Sequence, residues 1–346
     1  MNRLTLVPEA TLTSRHPRVT VDGLLDEFVP PSHFDHVRFD NYLPDASEPT
    51  QAAAVAALTA FAARVNAAPA ARRGIFRRAA PPEGRAGVYL DGGFGVGKTH
   101  LLASLWHAAP GPKRYGTFVE YTNLVGALGF RTAVTALSAS RLVCIDEFEL
   151  DDPGDTVLMS TLLGELVTAG VSLAATSNTL PDRLGEGRFA AEDFLREIQG
   201  LSAHFDVVRS DGEDYRHRGL PDAPQPLGDD AVRAIAATTP GSATDAFAPL
   251  LQHLTQVHPS RYGALVEGVT LLGLVGVRTI TDQASALRLV VLVDRLYDRD
   301  VPVVASGVPL DRLFADELLR GGYRKKYFRA VSRLVALARD GQAMVG

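Results

Sequence analysis

The residues most able to do chemistry form one run, Gly92-Gly93-Phe94-Gly95-Val96-Gly97-Lys98-Thr99-His100, between the apolar stretch VYL and the helix-like LLASLWHAA. Strand, glycine loop and helix in that order are what a P-loop requires. The glycines let backbone N–H groups curl inward around phosphate oxygens, and the helix that follows turns the positive end of its dipole toward them. Lys98 is expected to reach the β- and γ-phosphates, and Thr99 to offer its hydroxyl to Mg²⁺. A second element ends the apolar residues 142–145 with the pair Asp146-Glu147. Two carboxylates at the carboxyl end of a buried strand suit a site in which Asp146 holds Mg²⁺ through water and Glu147 polarises the water that attacks the γ-phosphate. A third is Asn178, which closes VSLAATSN, where an amide can orient that water. No Asn-Lys-x-Asp tetrad for guanine is present, so the nucleotide read from these motifs is ATP. Cys144, the one cysteine, reads as a small core residue and not a nucleophile.

Positioning these groups takes alternating strands and helices. From residue 88 onward VYLDG, LLASLWHAA, TFVEYTNLV, LVCIDEF, TVLMSTLLGELVTAG, VSLAATSN and HFDVVRSDG follow one another. That alternation argues for a parallel sheet covered by helices on both faces. If residues 156–169 form a right-handed crossover helix, Asn178 comes to lie beside the carboxylate strand. The fold class is therefore α/β, a P-loop NTPase sheet flanked by helices, with a C-terminal mixed α/β unit. The expected organisation is residues 1–83 as an N-terminal arm and helical segment, 84–215 as the ATPase core and 216–346 as a helix-rich C-terminal unit with a βαβ element. Within the first segment an Ala-rich helix begins near Pro49, with Ser47 as a plausible cap.

Composition narrows the class further. A chain of 346 residues, 46% hydrophobic and 22% charged, has room for a nucleotide domain and a second unit. A single cysteine and an N-terminus without a basic-then-apolar pattern point to a cytoplasmic setting, and no apolar run is long enough for a membrane span. A net charge of −5 gives no general attraction to nucleic acid. Arg72, Arg73, Arg77 and Arg78 read either as a solvated loop face or as a local phosphate-backbone contact. His33 with His36 and His253 with His258 lack the further ligands a Zn²⁺ site needs, and no Ser/His/Asp or GxSxG arrangement is readable.

Beyond the three motifs, FDNYLPDASEPTQ, GGFGVGKTHLL, LVCIDEFELDDPGDTVLMSTLLGELVTAGVSLAATSNTLPDRL and FDVVRSDGEDYRHR together resemble the ZapE/AFG-type family of AAA+ ATPases. The likeness continues through RTITDQASALRLVVLVDRLYDRDVPVVASGVPLDRLF and FRAVSRL, so it spans most of the chain from about Phe39. It implies an ATPase acting on other proteins, in bacteria at the division ring through FtsZ and in mitochondria in membrane-protein turnover. It also implies ATP-dependent assembly into homo-oligomers and places Asn178 at the position called sensor 1. The basic and aromatic segment that many proteobacterial members carry after the P-loop helix is reduced here to PGPKRYGTFVEYTNLV. The family's Gly-Leu-Gln-Arg stretch is replaced by Gly187-Arg188-Phe189-Ala190, so a trans-acting arginine has two candidates, Arg188 first and Arg196 second. Arg333 and Arg329 match family arginines that could sense phosphate or simply lie exposed on a helix, and Tyr42 and Gln51 match residues that could line the adenine pocket. A DNA-associated ATPase of the helicase-loader or initiator kind is the rival reading of GVGKTHLL, and a nucleotide switch with little turnover the third.

The sequence also echoes itself. Residues 142–180 and 272–310 align without gaps, with Asp146 and Glu147 falling on Gly276 and Val277 and Asn178 on Val308. The second copy is expected to be a strand, crossover helix and strand without hydrolytic groups, its strands at residues 272–277 and 301–306 parallel neighbours.

Overall fold

The computed structural model describes residues 11–18, 20–67, 85–93, 95–150, 153–184, 194–212 and 223–344. The chain divides into two compact units, Val21–His217 and Met1–Thr20 with Arg218–Gly346.

In the first unit the elements run α1 (Val21–Asp26), α2 (Pro49–Ala67), β1 (Gly87–Gly92), α3 (Lys98–Ala108), β2 (Lys113–Thr117), α4 (Phe118–Leu128), α5 (Phe130–Leu137), β3 (Leu142–Asp146), α6 (Pro153–Thr168), β4 (Ser172–Ser177), α7 (Leu195–Ser202) and β5 (Phe205–Ser210). The five strands form one sheet in the order β2-β3-β4-β1-β5, and every pairing is parallel. This is the α/β P-loop architecture expected from the motifs. All five residues of β3, Leu-Val-Cys-Ile-Asp, are buried, as a central strand covered on both faces requires. On one face Val88 and Leu90 pack with Leu58 and Phe61 of α2 and Leu101 and Leu105 of α3. Another part of the sheet carries a chain of edge-to-face rings, Phe205 to Tyr89 to Phe148 to Phe118. Thr117 starts α4 with a capping box, accepting from the Glu120 N–H while its own N–H donates to the Glu120 carboxylate. Ser47, by contrast, donates its hydroxyl to Asp45 at 2.6 Å and is not the cap of α2.

The second unit holds α8 (Asp229–Thr238), β6 (Ala243–Ala246), α9 (Phe247–Gln256), α10 (Tyr262–Leu265), β7 (Leu272–Val277), α11 (Gln283–Asp298), β8 (Val303–Gly307), α12 (Asp316–Arg320) and α13 (Arg324–Ala343). Its strands form a parallel sheet, β6-β7-β8, so β7 and β8 are the parallel neighbours the sequence echo called for. β6 was not foreseen; ATDA is too short and too polar to read as a strand. Residues 11–18, grouped above with the N-terminal helical segment, instead pack in this unit. Buried Asp245 accepts hydrogen bonds from the Leu12 and Thr13 N–H groups and the Thr13 hydroxyl, Arg15 donates to the carbonyls of Leu265 and Glu267, and Leu12 is buried among Phe247, Leu250 and Leu254. No helix among the described residues is long and apolar enough to cross a membrane.

Candidate active site

β1, β3 and β4 bring the three motifs to one edge of the sheet. β4 lies between the other two, pairing Ala175 with Ile145 on one side and Ser177 with Asp91 on the other. Asp146, Asn178 and the glycine loop therefore leave from the carboxyl ends of adjacent strands, where ligands of open parallel sheets lie. Asn178 sits beside the P-loop strand as well as near the carboxylate strand.

The loop from Gly92 to Thr99 turns directly into α3, whose first residue is Lys98. Gly97 has φ +79, and a Cβ there would come 2.6 Å from the Tyr42 ring, so glycine is required on both counts. The Lys98 ammonium donates to the carbonyls of Gly92, at 2.8 Å, and Gly93 and to Asn178 Oδ1 at 2.8 Å. That bond couples the P-loop lysine to the amide at the end of β4. Thr99 follows in the first turn, and among the described residues its hydroxyl has no protein partner. His100 turns its ring outward, its Nε2 3.2 Å from the Arg38 carbonyl and its ring edge-to-face with Tyr42. Phe94 and Arg188 lie outside the described residues.

Asp146 is buried, and its carboxylate accepts three hydrogen bonds: from the Tyr115 hydroxyl at 2.8 Å on Oδ2, and from the Thr176 hydroxyl and the Glu147 N–H, at 3.1 Å, on Oδ1. The Glu147 N–H is shared with Thr176 Oγ1, also at 3.1 Å. Among the described residues no lysine or arginine pairs with Asp146. Glu147 has φ +53, a left-handed conformation that costs a side-chain-bearing residue about 1–2 kcal/mol. Phe148 N–H donates to the Thr176 carbonyl at 2.7 Å, so the backbone on both sides of the turn is tied to β4. Burial, then the Asp146 charge, pushes the Tyr115 hydroxyl well above the ordinary tyrosine range, which keeps it a donor at any physiological pH. Burial likewise pushes the Cys144 thiol far up, as a core residue's would be.

Tyr115 and Thr176 were not singled out from the sequence. Thr176 could have been, since it sits on β4 two residues before Asn178; Tyr115 comes from a separate strand, and no local spacing marks it. Tyr42 and Gln51, candidates for the adenine pocket, are committed to protein contacts. The Tyr42 hydroxyl donates to the Val96 carbonyl at 2.7 Å, and the buried Gln51 amide donates to the Asp211 carbonyl at 2.9 Å and accepts from Asp45 N–H at 2.8 Å. They brace the P-loop and the exit of β5. Arg196 is exposed on α7. Arg329 and Arg333 are not simply exposed: both bind Asp294 of α11, at 3.0 and 2.5 Å, within the second unit. His253 contacts the Arg15 carbonyl at 2.9 Å and His258 contacts Ser260 at 2.9 Å, so both take part in packing.

A glycine loop between strand and helix, with an amide after the adjacent strand and an acidic pair at the end of the strand beyond it, defines a P-loop nucleoside triphosphatase. A model of the AFG1-like ATPase family matches residues 26–238 and 225–343, and the chain belongs to that family, the ZapE/AFG1-type AAA+ ATPases. It is an ATPase. "Cell division protein ZapE" of Escherichia coli (strain K12) is 28% identical over 291 residues, 72% of this chain and 76% of that protein. "Lactation elevated protein 1 homolog B" of Danio rerio is 26% identical over 230 residues, 56% of this chain and 45% of that one. Among solved structures, domain III of the replication initiation protein DnaA from Thermotoga maritima superposes with a TM-score of 0.38 at 15% identity, covering 63% of this chain and 73% of that one.

Proposed function

We propose that the chain is a Mg²⁺-dependent ATPase that remodels or regulates a protein partner in cell division, with FtsZ as the first partner to try, and that it works in the cytoplasm as an ATP-dependent homo-oligomer. What supports the hydrolytic part most directly is the Lys98–Asn178 hydrogen bond beside the Asp146-Glu147 turn. It brings the Lys98 ammonium and the Asn178 amide together beside the two carboxylates, which is the grouping that binding phosphate and orienting water would need. The Thr99 hydroxyl and the Asp146 carboxylate are hard oxygen donors, and Asp146 is a buried carboxylate that pairs with no cationic side chain among the described residues; both features suit Mg²⁺ completed by phosphates and water. Bound there, Mg²⁺ would neutralise charge that develops on the β- and γ-phosphate oxygens.

The protein groups then divide the work. Backbone N–H groups of residues 92–100 hold the phosphates, and Lys98 exchanges its carbonyl contacts for β- and γ-oxygens. Asn178, tied to Lys98, orients the water. Glu147, turned by its left-handed backbone and held through its N–H, accepts the proton as that water attacks. Arg188 or Arg196 of a neighbouring subunit would complete a shared site; the partner reading draws on the division-protein relative and on the sequence resemblance.

Steady-state ATP hydrolysis across protein concentration, with FtsZ or single-stranded DNA added, tests this reading. Turnover that rises more than linearly and responds to FtsZ is the expected outcome. Turnover linear in protein, unmoved by FtsZ and stimulated by DNA, would replace the division reading with a DNA-associated one.

A further inference from the structure

The Asp146 carboxylate has about four acceptor positions, two on each oxygen. Both on Oδ1 are taken, by the Thr176 hydroxyl and the Glu147 N–H, and one on Oδ2 is taken by the Tyr115 hydroxyl at 2.8 Å. One position on Oδ2 remains. The three donors come from three places, β2, β4 and the turn after β3, so the carboxylate is fixed in rotation as well as in position.

Two comparisons within the molecule argue that this is more than packing. Tyr121 and Tyr262 are equally buried, and each gives its hydroxyl to a backbone carbonyl, Cys144 at 3.1 Å and Leu254 at 2.7 Å. Tyr115 instead gives its hydroxyl to a side-chain carboxylate that pairs with no lysine or arginine among the described residues. For stability alone, a carbonyl partner avoids burying that charge.

We propose that Tyr115 and Thr176 are positioning residues of the hydrolytic site, which hold Asp146 so that a single acceptor position on Oδ2 would be left for the metal's water. This rests on the reading of Asp146 as the Mg²⁺ carboxylate. Thr176 has a second task, because its Oγ1 also accepts the Glu147 N–H and so sets the turn that aims the general base. Tyr115 therefore acts on the metal alone, and Thr176 on the metal and on proton transfer.

The test is a Mg²⁺ titration of fluorescent ATP-analogue binding, which needs no turnover, on wild type, Tyr115→Phe, Thr176→Val, Thr176→Ser and Asp146→Asn. Affinity in excess chelator, thermal denaturation without ligand and kcat at saturating Mg²⁺ are measured alongside. Losing an outer partner of a metal ligand weakens the metal about 10-fold or more. Tyr115→Phe and Thr176→Val are expected to raise the Mg²⁺ midpoint by about that factor, with affinity in chelator unchanged. Thr176→Ser, which keeps the hydroxyl, stays near wild type. At saturating Mg²⁺, Tyr115→Phe recovers most of kcat and Thr176→Val does not. A midpoint that stays put in both hydroxyl-deleting variants, while Asp146→Asn raises it, overturns the positioning role and leaves the metal reading standing. A midpoint indifferent to Asp146→Asn overturns the metal reading and the positioning role with it. If Tyr115→Phe does not fold, the valine and serine pair at Thr176 carries the same decision.

Discussion

Two strand–helix–strand segments of this chain share a backbone plan and differ in what stands at their ends. In β3-α6-β4 and β7-α11-β8 alike, two parallel neighbours are joined through a helix of 16 residues. Each has a left-handed residue near the carboxyl end of its first strand, Glu147 just past β3 at φ +53 and Gly276 inside β7 at φ +71, one alignment place earlier. In each, a hydroxyl on the second strand accepts that residue's N–H and donates to a carboxylate: Thr176 to Asp146, and Ser306 to Asp229 at 2.5 Å. The two hydroxyls are equivalent in the gapless alignment, 130 residues apart by their numbers (306 against 176). The first segment forces a glutamate into a turn that suits glycine and places a carboxylate and an amide beside a P-loop. The second has glycine at its left-handed position, one alignment place earlier, with Val277 opposite Glu147 and Val308 opposite Asn178. A βαβ scaffold thus supplies the geometry for a site, and the side chains at two strand ends decide whether it holds one.

The largest effect expected from this contrast is on turnover. Glu147→Gln removes the proposed general base and should lower kcat by about 100-fold or more, with ATP-analogue binding retained. Ser306→Ala, the change at the counterpart hydroxyl, should leave turnover near wild type. It should cost about 1–3 kcal/mol of stability, since the Gly276 N–H and Asp229 lose their partner, which thermal or denaturant melting would detect. The two left-handed positions should respond in opposite directions. Gly276→Ala places a Cβ that meets nothing within 4 Å, so its cost, about 1 kcal/mol, is the left-handed backbone alone. Glu147→Gly relieves that same strain and should gain about 0.5 kcal/mol once the added freedom of the unfolded glycine is subtracted, while turnover is lost. Equal signs for the two would break the comparison.

The smallest effect is a pH dependence at Asp91, just before the loop. Burial pushes its carboxyl above the ordinary range, opposed by Arg209 and then Lys98. A raised acid favours the protonated form in the folded chain, so stability is lost as pH rises from the unfolded value to the folded one, and the cost is full above the folded value. Asp91→Asn should therefore raise the melting temperature slightly at neutral pH, and the gain should vanish as pH falls through the carboxylate range. A gain that persisted at low pH would point to a cause other than charge.

What could be read in the sequence is what is encoded by neighbours along the chain. The glycine loop, the Asp146-Glu147 pair and the alternation that builds a parallel sheet are local patterns, and the structure puts them at one sheet edge. The β7-α11-β8 unit was legible for the same reason, through apolar strands and a well-patterned helix. Contacts made across strands were not. Tyr115 reaches Asp146 from another strand, and Arg329 and Arg333 meet at Asp294 of a different helix, which no spacing encodes. Tyr42 and Gln51 were read as candidates for the adenine pocket, and only the folded contacts reveal that both brace protein backbone. An extended arm such as residues 11–18 carries no pattern that says which unit it will join; Asp245 decides that, far away in sequence.

The central claim is that the edge formed by β1, β3 and β4 hydrolyses ATP with Glu147 as the base. The most direct measurement compares wild type and Glu147→Gln for ATP-analogue affinity and single-turnover ATP cleavage in the same preparation. Retained affinity with cleavage slowed by about 100-fold or more is the predicted result. Cleavage at the wild-type rate in Glu147→Gln would contradict the account and move the search for the base away from the end of β3.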